Sequence, residues 1–291
     1  MKNLRKSTGM ALKERLVLHL MDRLRYYLIV MALSFIASCR QNSSTGEPNT
    51  MNPNELAGLE PFFRAVQENP DSVVLYQVLV DTLANRGLFT EAAAWCDSAI
   101  KHETIFPAGW LLAKGDLHRK AAKYDSAIAA YKQYLYIFPD DEQILLNLAN
   151  AYAEKGDSAT LVLTGHINSL FSSTETRSGT AFINGIYFST IKNFAEARKR
   201  YDSAIALRYN FLEAWMERGY AFYDEGKYKE AAQNFFQLTN LNKANADAWY
   251  WMAKSEEAMG ENEKAKEHYA RAFSLDRNLT AAKLALERLR K

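Results

Sequence analysis

Trp215-Met216-Glu217-Arg218-Gly219-Tyr220-Ala221-Phe222, followed by Gly226, Tyr228 and Ala231-Ala232-Gln233-Asn234-Phe235, places large residues three and four apart on either side of a glycine. That spacing describes two amphipathic helices joined by a tight turn. The equivalent of Ala231 recurs at Ala92, Ala127, Leu161, Ala197, Ala231 and Ala265, with intervals of 35, 34, 36, 34 and 34 residues. A period of this length marks a stacked array of helical hairpins, in which no hairpin can bury its apolar stripe alone.

Other units carry the same marks. Trp249, Met252, Ala253, Gly260, Ala265, Tyr269 and Ala272 follow, and Gly185, Phe188, Phe194, Ala197, Tyr201 and Ala204 precede. Leu145, Leu148, Ala149, Tyr152 and Gly156 form a further half-unit, and Tyr76, Leu79, Leu83, Gly87, Phe89, Ala92, Cys96 and Ala99 an earlier unit. A second unit has Ala127 and Tyr131, but its Trp110 and Gly115 stand one residue out of step with each other. Together these residues resemble the tetratricopeptide repeat (TPR) consensus over roughly 73–278. The resemblance implies an all-α fold, a right-handed TPR superhelix (α-solenoid) of about six helical hairpins plus a C-terminal capping helix. We assign 55–72 to an N-terminal helix, 73–171 to units 1–3, 172–178 to a polar break, 179–278 to units 4–6 and 279–291 to the capping helix.

Elementary packing explains the marks. Glycine at Gly87, Gly156, Gly226 and Gly260 suits a left-handed helix end. Alanine in the second helix (helix B) lets two backbones approach, and the aromatic four residues later is expected to pack into the neighbouring unit. Pro70 and Pro139 stop a helix from running on, and Pro61 is expected to limit the regularity of the N-terminal segment. The third unit is the weak one: Ser158, Leu161, Gly165 and Asn168 stand where an aromatic, a small residue, an aromatic and a small residue are wanted. A distorted helix there, with a hinge at the polar residues 172–178, is the expectation.

The first residues read as an address. Arg23 and Arg25 precede an apolar run over 26–37, too short to span a bilayer, which needs about 20 residues. Ile36-Ala37-Ser38-Cys39 then resembles the lipobox of bacterial lipoproteins. The resemblance implies a signal peptide over 1–38, with Met21 as an alternative start, and lipidation of Cys39. A flexible tether over 39–54 would follow. Arg40, rather than Asp, directly after the cysteine implies a lipid anchor in the outer membrane, on the periplasmic side by preference and the cell surface as the alternative.

Charge and motifs narrow the function. Residues 1–38 hold seven basic and two acidic side chains, so the formal charge of +2 leaves the remainder at −3. A mildly acidic body argues against nucleic acid as a partner. The sequence offers no HExxH, no Gly-rich phosphate loop, no GxSxG and no paired cysteines, so neither a cofactor nor a metal is expected. Cys96 reads as a small buried hydrophobe. A scaffold is therefore the leading reading, a hidden envelope hydrolase the least favoured.

In TPR arrays the first helices (helices A) line a concave groove. Carrying that over gives Gln77, Asp81 and Asn85 in unit 1, then Gln143, Asn147, Asn150 and Glu154 in unit 3. Units 5 and 6 combine carboxylates with aromatics: Glu213, Glu217, Tyr220, Tyr223 and Asp224, then Asp247, Tyr250, Trp251, Lys254 and Glu257. Asn147 and Asn150 match the asparagines of the family's carboxylate-gripping form without its cations. Aromatic anchors beside acids suggest a basic or amphipathic polypeptide partner in the groove. The same residues can instead pack between helices, as Trp251 beside Trp249. Phe182, Ile183 and Ile186 make unit 4 apolar and offer a homodimer face as the alternative.

Overall fold

The computed structural model describes residues 57–102 and 107–289. The expected signal peptide, the expected lipidation site Cys39 and the expected tether lie outside them. The described residues form fourteen helices and no strand. They are α1 (Glu60–Glu68), α2 (Val73–Asn85), α3 (Phe89–His102), α4 (Ala108–Lys120), α5 (Tyr124–Ile137), α6 (Glu142–Lys155) and α7 (Ala159–Leu170). Then come α8 (Thr174–Thr190), α9 (Phe194–Leu207), α10 (Leu212–Asp224), α11 (Tyr228–Leu241), α12 (Ala246–Ala258), α13 (Asn262–Leu275) and α14 (Thr280–Leu289). Helices α2 to α13 pair into six hairpins. Each packs against its successor, and α14 covers the last. The architecture is an all-α TPR superhelix.

All six hairpin turns close in the same way. The N–H one residue before the next helix (two in the case of Asp157) reaches back five residues, from Leu88, Lys123, Asp157, Asn193, Lys227 and Glu261 to Leu83, His118, Tyr152, Phe188, Phe222 and Glu256, at 2.8–3.0 Å. The residue before each donor takes positive φ, and four of the six are glycine. The other two are Ala122 (φ 54°) and Lys192 (φ 61°), which adopt the left-handed conformation at a steric cost glycine avoids.

Between the two helices of a hairpin the aromatic does more than the sequence led us to expect. Tyr131, Tyr201 and Phe235 lie flat over Gly115, Gly185 and Gly219 of their own hairpins, where an added Cβ would come within 2.3–2.5 Å of the ring. They lock their own unit and also reach the next, Tyr131 clustering with Ile144, Leu148 and Ala151, Tyr201 with Ala221 and Phe235 with Met252, as expected. The contact also settles the second unit: Gly115 is in register, and Trp110, buried, stands one residue early.

Unit 3 departs from its expected register. Leu161 is 38% exposed, whereas Ala92, Ala127, Ala197, Ala231 and Ala265 are all fully buried. Thr160, Thr164 and Ile167 occupy the inward positions instead, one residue earlier. The helix holding them, α7, is regular, so the expected distortion is absent. Asp157 starts it, accepting the Ala159 N–H at 2.9 Å on its side chain and the Thr160 hydroxyl at 2.7 Å on its carbonyl.

The hinge at 172–178 is likewise absent. Ser173 caps α8 by accepting the Thr176 N–H at 3.0 Å, and residues 174–178 form an added first turn of that 17-residue helix. Because α7 presents threonines rather than an aromatic, α8 packs directly on α6. Ile183 and Tyr187 meet Leu145, Ala149 and Ala153. Thr176 donates to Glu142, Thr180 to Asn168 at 2.9 Å and Thr164 to Asn184 at 2.9 Å, which satisfies the buried hydroxyls of this seam. Pro61, finally, falls in the first turn of α1, where its missing N–H costs no helical bond, and Phe63 stacks on Trp95 at 5.7 Å.

Candidate functional site

The side chains expected in the groove of units 5 and 6 come from α10 and α12. Helical spacing puts Tyr220 and Tyr223 on one face of α10, opposite Trp251 of α12. Trp251 meets Tyr220 edge-on at 4.8 Å and Tyr223 at 5.3 Å, and Tyr250 at 5.8 Å. Phe235 closes the base at 6.3 Å. The Lys254 ammonium sits 4.1 Å from the Trp251 ring centroid and 5.1 Å from that of Tyr223. Phe235 is fully buried, and Tyr220, Tyr223, Tyr250, Trp251 and Lys254 are half-buried. The rings are at once packing and surface: Tyr220, Tyr223 and Trp251 join the core cluster around Ala231, Phe235 and Met252, Tyr250 joins the one around Ala253, Ala265 and Tyr269, and each stays partly open.

The carboxylates divide. Glu217 is half-buried and forms no hydrogen bond or ion pair among the described residues. Burial, then the negative fields of Asp224 and Glu154, push its carboxyl up to about 7. Glu154 is also raised by burial, against the opposing pull of Arg119, which pairs with it at 2.8 Å. Asp224 and Asp247 are exposed, and so is Glu213, in the first turn of α10, which no contact ties to the aromatic cluster. In unit 3, Gln143 bonds Asn147 at 3.0 Å and Asn150 bonds Glu154 at 3.3 Å, so these amides are engaged along their own helix. In unit 1, Gln77 likewise bonds Asp81 at 3.0 Å, while Asn85 ends α2.

Beyond Tyr250 and Lys254 the groove deepens into a cleft of about 440 Å³. Its far wall is α14, through Leu284 and Arg288, and its floor includes Tyr269. Arg288 was not among the residues expected here, because its helix read as a solvated cap. A signal existed: Tyr220, Lys254 and Arg288 are separated by 34 residues each, one register position in successive units.

The proposed dimer face fares differently. Ile183 is buried between α8 and α6, and Phe182 packs on Phe211 at 4.9 Å and Tyr201 at 5.9 Å. Ile186 is half-buried in the same packing. The apolar character of unit 4 is consumed within the stack, which removes the observation that favoured self-association. Cys96 is fully buried and free, its thiol pushed up to about 12, burial first and Asp97 second. Among the described residues, no group of three or more His, Cys, Asp or Glu is placed to hold a metal ion, and no helix is long and apolar enough to cross a membrane.

Three family models match the chain: a TPR repeat over 219–260 and tetratricopeptide repeats over 112–160 and 246–279. Solved structures with the same fold include a tetratricopeptide repeat protein from Parabacteroides merdae, at 16% identity and TM-score 0.57, covering 82% of this chain and 93% of that one. The Cut9–Hcn1 hetero-tetramer of the APC/C aligns at 15% identity and TM-score 0.52, over 81% of this chain and 47% of that one. A thermophilic TPR protein of Thermus thermophilus aligns at 15% identity and TM-score 0.51, over 62% and 98%. No curated protein sequence matches. The chain thus carries tetratricopeptide repeats over 112–160 and 219–279, within a stack of six helical hairpins of the same fold closed by a capping helix.

Proposed function

We propose that this chain is a protein-interaction scaffold that binds a basic polypeptide along helices α10 and α12. We further propose that Cys39 holds it by a lipid anchor in the bacterial outer membrane. The observation that carries the binding reading is Glu217: a half-buried carboxylate without a cation, whose field reaches Tyr220, the ring that leads into the half-buried cluster with Trp251 and Tyr223. An unpaired carboxylate at such a site is held at a desolvation cost that an incoming lysine or arginine offsets. The ring edges supply contact area at low entropic cost. That TPR proteins include members solved with partners, as Cut9 is with Hcn1, supports the scaffold class. The pattern from Arg23 to Cys39 supports the anchor.

The test of binding is crosslinking in cells with mass spectrometry, comparing the wild type with Glu217→Lys. Partners lost from the variant, with helical circular dichroism unchanged, are the expected result; an identical partner list would remove the groove from consideration. The test of the anchor is acyl-chain labelling of wild type against Cys39→Ala, where equal labelling would refute it.

A further inference from the structure

We infer that the helix-B side of the array carries a second interaction surface, a cleft between α11 and α13 that takes a bulky apolar side chain of an acidic polypeptide. Its lining shares no residue with the groove cluster of α10 and α12 or with the cleft against α14, so it stands independently of the function proposed above.

Between units 4 and 5 the equivalent place is stapled shut. Asp202 of α9 pairs with Arg218 of α10, whose guanidinium lies 4.3 Å from the Trp215 ring centroid and donates to Asn234 of α11 at 2.8 Å. Trp215 is buried beneath it. Between units 1 and 2, Asp97 and Lys114 stand in the same register and pair at 2.6 Å. Thirty-four residues on from Asp202, Trp215, Arg218 and Asn234 come Phe236, Trp249, Met252 and His268. Both charges of the staple are gone. Phe236 is 50% exposed, and Trp249 is half-buried where Trp215 is buried. A cleft of about 330 Å³ opens here, with Met252 at its floor and Phe236, Trp249 and Met259 along it.

The apolar lining and the charges on the rim together specify the occupant. The volume lies at the lower end of ligand pockets, about 300–1,000 Å³, and suits one side chain rather than a cofactor. Two aromatic rings and two thioethers favour an aromatic or long aliphatic group, whose burial would also cover the open half of Phe236. The two carboxylates at the rim are already engaged: buried Glu256 bonds His268 Nδ1 at 2.7 Å, and Glu261 pairs with Lys264 at 2.8 Å. Lys229 is the one charged residue of the lining that has no ion pair among the described residues. The complement of this cleft is therefore an apolar side chain flanked by carboxylates.

Three labelled peptides of equal length test this on the full chain by fluorescence anisotropy: one with phenylalanine between glutamates, one with serine in place of the phenylalanine, and one with lysines in place of the glutamates. The serine peptide should bind about tenfold more weakly than the first. The lysine peptide should bind about two- to fivefold more weakly, a gap that shrinks with added salt. Phe236→Asp, which gives α11 the residue that Asp97 and Asp202 supply elsewhere, should lower the first peptide to the level of the serine one with helical circular dichroism unchanged. Lys229→Gln should erase the preference for glutamate and keep that for phenylalanine. Glu217→Lys, the groove variant, should change none of these affinities, so the two surfaces stand or fall separately. No binding of the first peptide, equal affinity for the serine peptide, or binding that survives Phe236→Asp would overturn the inference. So would a dimer of the chain alone, seen by sedimentation and dispersed by Phe236→Asp, which would give the cleft to a second copy.

Discussion

Gly219 lacks a side chain because Phe235 fills the space: a Cβ there would lie 2.5 Å from two ring carbons and 2.6 Å from Asn234 Nδ2. The amide cannot yield easily, since it donates to the Trp215 carbonyl at 2.7 Å and accepts from Arg218 at 2.8 Å. Gly219→Ala is expected to destabilise the array by about 1–3 kcal/mol. Gly165→Ala, where nothing stands within 4 Å, should stabilise it by about 0.5–1 kcal/mol through helix propensity. Paired thermal melts check both signs. Glu217 makes a different demand on the same helix. Its folded value, about 7, lies above the 4.5 of an unperturbed glutamate, so the folded chain retains a proton that the unfolded chain has released. This group's contribution is complete below about pH 4.5 and is lost as pH rises through 7. Glu217→Gln should therefore melt higher than wild type at pH 8, by on the order of 1 kcal/mol, with the gap closing at pH 4. A constant gap across that range would show that the carboxylate's charge is not what strains the site.

Among elements, the hairpin turn and the α7–α8 seam show where repetition holds and where it gives way. Lys192 occupies a left-handed position that four sister turns give to glycine, so Lys192→Gly should raise stability by about 0.5–1 kcal/mol in denaturant unfolding. The seam is held by hydroxyls, and Thr164→Val, nearly isosteric, removes the donor that Asn184 accepts from; about 1 kcal/mol should be lost, with hydrogen exchange rising in α7 first. Helices A and the glycine turns were legible because their residues repeat at fixed offsets. The slip in α7 was not, because Leu161 keeps the expected interval while the one-residue shift to Thr160 is made by Asp157 capping, a local bond no period reveals. Residues 172–178 looked like a break on composition alone; Ser173 and the Thr176–Glu142 bond turn the same polar residues into a helix start. The aromatic and acidic groove residues could be listed from register. That Trp251 would share its faces between core and groove depends on Phe235, which belongs to another helix.

At the scale of the whole molecule, stability in a linear stack is carried by neighbours, so the ends govern how far order extends. The last hairpin buries Ala253, Ala265, Tyr269 and Ala272 only because Ala282, Ala285 and the half-buried Leu286 and Leu289 of α14 lie over them. Deleting residues 280–291 uncovers that face and removes the Arg288–Glu257 pair in the same step. Most of the cost comes from the apolar surface, at about 25 cal/mol per Å² returned to water, because a pair whose arginine is 63% exposed contributes little. The damage should then spread only as far as interfaces between units are weaker than the units themselves. Hydrogen exchange by mass spectrometry is expected to show α12 and α13 losing protection, α10 and α11 weakening, and α2 to α6 unchanged. Loss of protection throughout would mean that the six hairpins fold as one cooperative block, coupled through the direct packing of α8 on α6.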